Sequence, residues 1–499
     1  MNDFIPGISF SIDNTIGSLG FFLPEIVIVI GFLLVIIADL FLARNNKQLC
    51  FMLTLLTLLI AGVMSFNSLN TASISLFGGM IRLDHQAILF KLLICAASIL
   101  FILFVRFNKT LQLTSKGTGD LHSILLAVHL GLSLMVMSAN LLMIYLSVEM
   151  VSVGSYLMVG YSSRNAKQSE AAMKYALFGA VCSAMMLYGM SLLYGFTGTL
   201  DLNDPSFISG ILAIPDISWG LAMVMVLVGI AFKLSLVPFH FWSPDVYEGA
   251  PTPVTAFLST GPKIAGFALL INFLQAFQPM RFGGLSNSLF NFNSVLGAVA
   301  ILSMIIGNFG AIWQNNVKRM LAYSSIGHTG FMLMALFAFT ESGFKALIFY
   351  MAIYVIMNMA AFMIVDEIEE RSGHDNIDGY NGLGKHAGLL MIGMVIVLIS
   401  LTGLPPTAGF TAKFLVFSAA WEAFKLSGSP VLMAMIITGA ISTVISLFYY
   451  LKIPLNAFLR NSGSPAVLLR ATPKTYISLL LVFLLIVLMI FPSALVQLL

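Results

Sequence analysis

Charge is the scarcest feature of this chain. Only 9% of its 499 residues are charged, and 59% are hydrophobic. A soluble domain carries roughly 25% charge, so this composition excludes a water-soluble globule and leaves a polytopic membrane protein. The net charge of +3 gives no basic footprint for nucleic acid. Cysteine is nearly missing: Cys50, Cys95 and Cys182 are far apart, form no CxxC or Cys/His cluster, and read as small core residues rather than redox or metal ligands. No P-loop or dinucleotide-type glycine pattern occurs, so the chain itself is not expected to bind a nucleotide. A basic n-region is also missing. Asp3 and Asp13 precede the first apolar run, and that run (21–43) is long enough to stay as a spanning helix rather than act as a signal peptide.

Long apolar runs are what the sequence has in abundance. About fourteen of them reach the roughly 20 residues a bilayer demands. They lie near 21–43, 48–66, 86–107, 121–139, 140–161, 169–196, 217–239, 253–279, 288–313, 318–339, 343–365, 387–425, 429–451 and 473–497. The fold class is therefore an all-α polytopic bundle. The twelfth run is too long for one straight helix and holds Gly403-Leu404-Pro405-Pro406, so it predicts a broken helix. With the N-terminus outside, sixteen of the 24 Lys and Arg residues fall in inner loops, four fall in outer loops, and Lys91, Lys233, Lys263 and Lys413 remain in the membrane. That is a clear positive-inside bias. The outer loop near 197–216 is acidic. The charged stretch 366–386 reads as a solvated inner connection.

The chain is organised around the stretch from Gly229 to Gly266, GIAFKLSLVPFHFWSPDVYEGAPTPVTAFLSTGPKIAG. A lysine at bilayer depth costs at least about 2.5–3.5 kcal/mol, so it needs a reason to be there. Pro238 removes a backbone donor soon after Lys233 and predicts an interruption of the seventh helix. Broken helices beside buried ionisable groups are how membrane proteins build ion sites. Lys233 lies at about 22 Å along the seventh helix and Lys263 about 15 Å into the eighth. Lys413 follows the Pro405-Pro406 break, and Glu149 sits halfway along the fifth helix. Such groups can pass a proton when water bridges them, because each exists charged or neutral at a cost its neighbours tune. His328 fits either a relay or a satisfied core histidine, and His240 either a relay or a helix cap. Lys91 reads as a snorkelling residue, and Glu25 and Asp39 as boundary residues.

Helices four to eight and nine to thirteen each hold a polar helix and a broken helix with a lysine, and they start on opposite sides. This predicts two inverted five-helix repeats. The expected divisions are a three-helix segment (1–120), a first repeat (121–280), a second repeat (281–452) and a C-terminal helix (453–499).

FKLSLVPFHFWSPDVYEGAPTPVTAFLSTGPKIAG resembles the seventh and eighth helices of the antiporter-like membrane subunits of proton-pumping NADH:quinone oxidoreductase, respiratory complex I. NNVKRMLAYSSIGHTGFM and SLTGLPPTAGFTAKF resemble that family's tenth and twelfth helices. Within the family, VYEGAPTPVTAFLS, Pro262-Lys263, a lysine rather than a glutamate at Lys413, and the chain length are similar to the subunit N (subunit 2) branch. The resemblance implies that Glu149 pairs with Lys233, that Lys263 connects along a central axis, that Lys413 serves an exit half-channel, and that His328 links the halves. It implies no cofactor in this chain, with NADH, FMN, iron–sulfur clusters and quinone bound by partner subunits. It also implies neighbouring subunits M and K, a bacterial inner membrane, and proton translocation driven by redox chemistry elsewhere. A cation/proton antiporter subunit of the multisubunit type is the competing reading, since it shares the fold and the lysine chemistry.

Overall fold

The computed structural model describes residues 6–42, 48–113, 117–162, 165–277, 292–460 and 472–497. Arg44, Lys47, Lys116, Arg164, Arg281 and Arg470, weighed above for topology, lie outside the described residues, as does the 280/281 division. The long helices are α1 (Leu23–Phe41), α2 (Leu49–Asn67), α3 (His85–Phe107), α4 (Gly119–Met137), α5 (Leu141–Val159), α6 (Ala166–Thr197), α7 (Asp216–Leu234) and α8 (Thr252–Ala276). They continue as α9 (Phe292–Ile312), α10 (Val317–Phe337), α11 (Glu341–Ser372), α12 (Gly388–Thr402), α13 (Ala408–Ser427), α14 (Pro430–Leu459) and α15 (Pro473–Ile490). Helices dominate because a backbone in lipid must satisfy its polar groups internally.

Helix starts are set locally. Asp84 accepts from Ala87 N at 2.8 Å to cap α3, Asn140 caps α5, Asn165 caps α6 and Asn316 caps α10. Thr472 and Thr475 form a reciprocal capping box at α15.

Burial sorts the helices into centre and rim. The apolar windows of α8, α10 and α11 are 100%, 94% and 94% buried, against 33% for α1 and 28% for α14, so the first three form the middle of the bundle and α1 and α14 stand at its rim with a broad exposed apolar face. At the α9–α10 crossing, Gly307 meets the backbone of Gly327, and a Cβ on Gly307 would stand 2.4 Å from the Gly327 nitrogen. Only small residues permit that approach.

Thirteen helices are long and apolar enough to cross a membrane among the described residues, one fewer than the runs suggest. The difference is the twelfth run. Its helix stops at Thr402, Gly403 turns into the left-handed region (φ 84°), and helix resumes at Ala408, leaving α12 with 15 residues. The 217–239 run also ends early. α7 stops at Leu234, Ser235 is left-handed (φ 57°), and helix resumes over Trp242–Gly249. Outside the long helices lie a helix at Pro6–Leu19 and an antiparallel hairpin, β1 (Ile74–Leu76) with β2 (Ile81–Leu83), neither of which the apolar runs reveal.

Four readings need correction. The stretch 366–386 is not simply a solvated connection. α11 runs on to Ser372, and Asp366 and Glu367 are 3% and 2% exposed. Lys474, one of the sixteen basic residues counted in inner loops, is 2% exposed and meets Asp366 at 2.7 Å, Glu367 at 3.6 Å and Glu370 at 2.6 Å. Asn108 donates to both oxygens of Asp366 at 2.9 and 3.0 Å. The ends of α3, α11 and α15 are thus tied by one lysine among three carboxylates, a cost that only mutual pairing offsets. Lys91 does not snorkel, and Glu25 is not a boundary residue: Lys91 Nζ lies 2.6 Å from Glu25 Oε1, with side chains 5% and 0% exposed.

Lys474→Met should destabilise the chain by about 3–5 kcal/mol, because it strands buried carboxylates without a counter-charge. Thermal unfolding in detergent should show the loss, and adding Asp366→Asn and Glu370→Gln should recover part of it.

Candidate functional site

Lys233 occupies the last turn of α7, where unpaired helix carbonyls concentrate partial negative charge. It is 2% exposed, and its Nζ donates to Ser152 Oγ of α5 at 3.0 Å. Glu149 is one turn before Ser152 on α5. It is half-buried and accepts from Ser183 Oγ of α6. It lies within electrostatic reach of Lys233 but not at ion-pair distance, so the expected direct pair is replaced here by the Ser152 contact.

Beyond α7, residues 235–241 run without helix, with Ser235, Leu236, Val237 and His240 buried and Pro238 and Phe241 exposed. Val237 N donates to Ser303 Oγ of α9 at 3.1 Å, and Trp242 Nε1 returns to the Phe232 carbonyl at 3.0 Å. His240 sits on this segment, 4% exposed, with its ring 4.4 Å from that of Phe241. No hydrogen bond joins it to another of the six predicted site residues among those described. Ser235 Oγ, His240 Nδ1, Ser243 Oγ and Tyr247 OH are buried with no protein partner, a concentration of polar atoms suited to ordered water.

Lys263, Lys413 and His328 converge on α10. Lys263 is 2% exposed and donates to Ser325 Oγ at 2.6 Å, Thr329 Oγ1 at 2.9 Å and the Ser325 carbonyl at 3.1 Å. Tyr354 OH of α11 donates to the same Ser325 Oγ at 2.7 Å. His328 is held between two phenols, Nδ1 to Tyr350 at 2.7 Å and Nε2 to Tyr450 at 3.2 Å, and Tyr450 also meets Ser324. Lys413 is 5% exposed and donates to the Thr402 carbonyl at 2.8 Å, the terminal residue of α12. Its Nζ also stands 4.6 Å from the centre of the Phe331 ring, one turn beyond His328. Gly403 makes this possible, since a Cβ there would lie 2.5 Å from Lys413 Cδ.

At the end of the bundle where α10 starts, Asp245 accepts from Lys174 at 2.8 Å and Arg319 at 2.6 Å, and Arg319 also reaches Glu248 at 3.1 Å. Burial pushes the Asp245 carboxyl up, but the hydrogen bonds from Lys174 and Arg319 outweigh it and hold it below its ordinary value. Lys318 beside it pairs with Glu369 at 3.2 Å.

The sequence reading missed the hydroxyl partners. Ser325 and Thr329 stand at −3 and +1 from His328 in SSIGHT, which puts them on nearby faces of one helix, so their spacing was a usable signal. Ser152, Tyr350, Tyr354 and Tyr450 gave none, because they come from other helices. Among the described residues, no group of three or more His, Cys, Asp or Glu residues is placed to hold a metal.

Residues 138–446 match the family described as NADH:quinone oxidoreductase/Mrp antiporter, TM. The chain is 40% identical to NADH-quinone oxidoreductase subunit N 2 of Chloroherpeton thalassium over 88% of its length and 85% of that relative. It is 39% identical to NAD(P)H-quinone oxidoreductase subunit 2 of Synechocystis over 87% of its length and 81% of that one. A chain of respiratory complex I from Thermus thermophilus superposes with a TM-score of 0.78 at 28% identity, covering 95% of this chain and 98% of its own. A match spanning more than half the chain, joined to identities near 40% over most of it, is decisive: this protein belongs to the antiporter-like membrane subunits of NADH:quinone oxidoreductase, in the subunit N branch.

Proposed function

We propose that this chain translocates protons along an axis running from Glu149 and Lys233, past His240, through Lys263 and His328 to Lys413, driven by redox chemistry in partner subunits. The observation that carries the reading is the company these lysines keep. Lys318 and Lys474 each face a carboxylate, whereas Lys233, Lys263 and Lys413 donate to neutral oxygens. An amine without a paired counter-charge can take up or release a proton without breaking an ion pair. The hydroxyls around α10 supply groups that donate and accept in either order.

In this reading the α7 interruption at Leu234 and the α12–α13 interruption at Gly403 are the two broken helices of inverted repeats, helices four to eight and nine to thirteen, within the four divisions set out above. Lysine placement supports it: Lys413 donates to the last carbonyl of the helix that stops at Thr402, and Lys233 lies in the last turn of the helix that stops at Leu234. The N-terminus faces outward from a bacterial inner membrane, as the loop charges suggest. NADH, FMN, iron–sulfur clusters and quinone are held by partner subunits, and subunits M and K are the neighbours.

Purification in mild detergent from native membranes should bring along flavin and iron–sulfur subunits. Recovery with small membrane subunits alone would turn the reading to a cation/proton antiporter. In proteoliposomes, Lys233→Ala should abolish proton pumping and, where coupling is tight, lower quinone reduction; a wild-type proton-to-electron ratio would remove Lys233 from the path. Glu149→Ala should give a smaller loss and Glu149→Asp a milder one. Ser325→Ala, which takes the shortest contact from Lys263, should slow pumping by less than Lys263→Ala does.

A further inference from the structure

A second buried ionisable set lies outside that axis. Glu25 and Lys91 face each other at 2.6 Å, and Glu25 Oε2 accepts no hydrogen bond from the protein. Seven residues further along α3, Ser98 Oγ meets His129 Nδ1 of α4 at 2.8 Å, with both residues buried. His129 is within electrostatic reach of Lys91. At 1.5 Å per residue, Glu25 stands about 3 Å and Lys91 about 9 Å from the starts of α1 and α3. Ser98 stands about 20 Å along α3, and His129 about 12 Å from the far end of α4. The set therefore descends from the hairpin end of the bundle to mid-depth.

It arrives beside the axis. α8 packs against both α3 and α4. Leu132, one turn from His129, lies 3.5 Å from the Cβ position of Gly261, two residues before Lys263. Lys263 is about 16 Å into α8, at a depth similar to that of His129. A buried ion pair is weak evidence for a stabilising role, since apolar replacement of both partners is often neutral, whereas an ionisable residue in a membrane helix is functional by default.

We propose that Glu25, Lys91, Ser98 and His129 form a lateral proton branch connecting the Lys263 region with the hairpin end of the bundle. In the ion pair the mobile proton sits on Nζ of Lys91. Passing it to the Glu25 carboxylate leaves a neutral amine and a neutral acid. The acid then gives a proton at the outer end, the amine accepts one from the His129 side through water, and the ion pair is restored.

The inference rests on the proposed pumping role, and the intact complex in proteoliposomes tests both. Lys91→Arg keeps the charge and the pair, but a guanidinium does not release its proton. The expected result is normal assembly and quinone reduction with a lower proton-to-electron ratio, and the same for a Glu25→Gln/Lys91→Met double variant. Lys233→Met serves as the reference. A wild-type ratio in Lys91→Arg beside a lowered ratio in Lys233→Met makes the pair structural and overturns the branch alone. A wild-type ratio in both overturns the pumping reading with it. Should the double variant fail to assemble, Lys91→Arg decides.

Discussion

A lysine held at the carbonyl end of a helix that stops inside the bundle is the interaction on which the rest of this structure depends. In lipid a helix end cannot be left open, because its last carbonyls have no water to meet. Here an ammonium fills that need. Lys413 donates to the Thr402 carbonyl, whereas Lys233, in the final turn of α7, donates to Ser152 Oγ and the carbonyls there are met by Ser235 N, Leu236 N and Trp242 Nε1. Each half of the arrangement makes the other tolerable. At Thr402 the interruption supplies the negative pole that holds Lys413, and Lys413 satisfies a carbonyl the interruption exposes. Gly403 and Ser235, both left-handed, are the residues at which these helices turn away.

Buried charge in this chain comes in two forms, and the difference decides what each can do. Lys474 is locked among three carboxylates, and Lys318 is tied to Glu369. Moving a proton from either would strand an uncompensated charge. Lys233, Lys263 and Lys413 are bonded instead to hydroxyls and backbone carbonyls, which do not fix the protonation state so firmly. Glu25 and Lys91 fall between: they form an ion pair, but one with an oxygen left over and a histidine further along.

Packing places these groups at working distances. α10 is buried along nearly its whole length, so Ser325, His328 and Thr329 can serve Lys263, Tyr350 and Tyr450 on three different helices. The glycine contact at Gly307 and Gly327 brings α9 against α10, and Ser303 of α9 in turn pins the non-helical segment at Val237.

The sequence by itself determined the membrane class, the number of candidate spans to within one of the thirteen among the described residues, the family, and the burial of Lys233, Lys263 and Lys413. These follow from properties local in the chain: apolar run length, a lysine where lipid excludes it, and prolines that stop a helix. It misjudged Lys91, Glu25, Lys474 and the 366–372 segment, and for one reason. A lone charge near the end of an apolar run looks the same whether it meets water or a partner from another helix, and only the assembled bundle brought Asp366 to Lys474 and Glu25 to Lys91. The neutral surroundings of Lys233, Lys263 and Lys413 were likewise a tertiary decision, because their partners come from helices that no spacing along the chain connects.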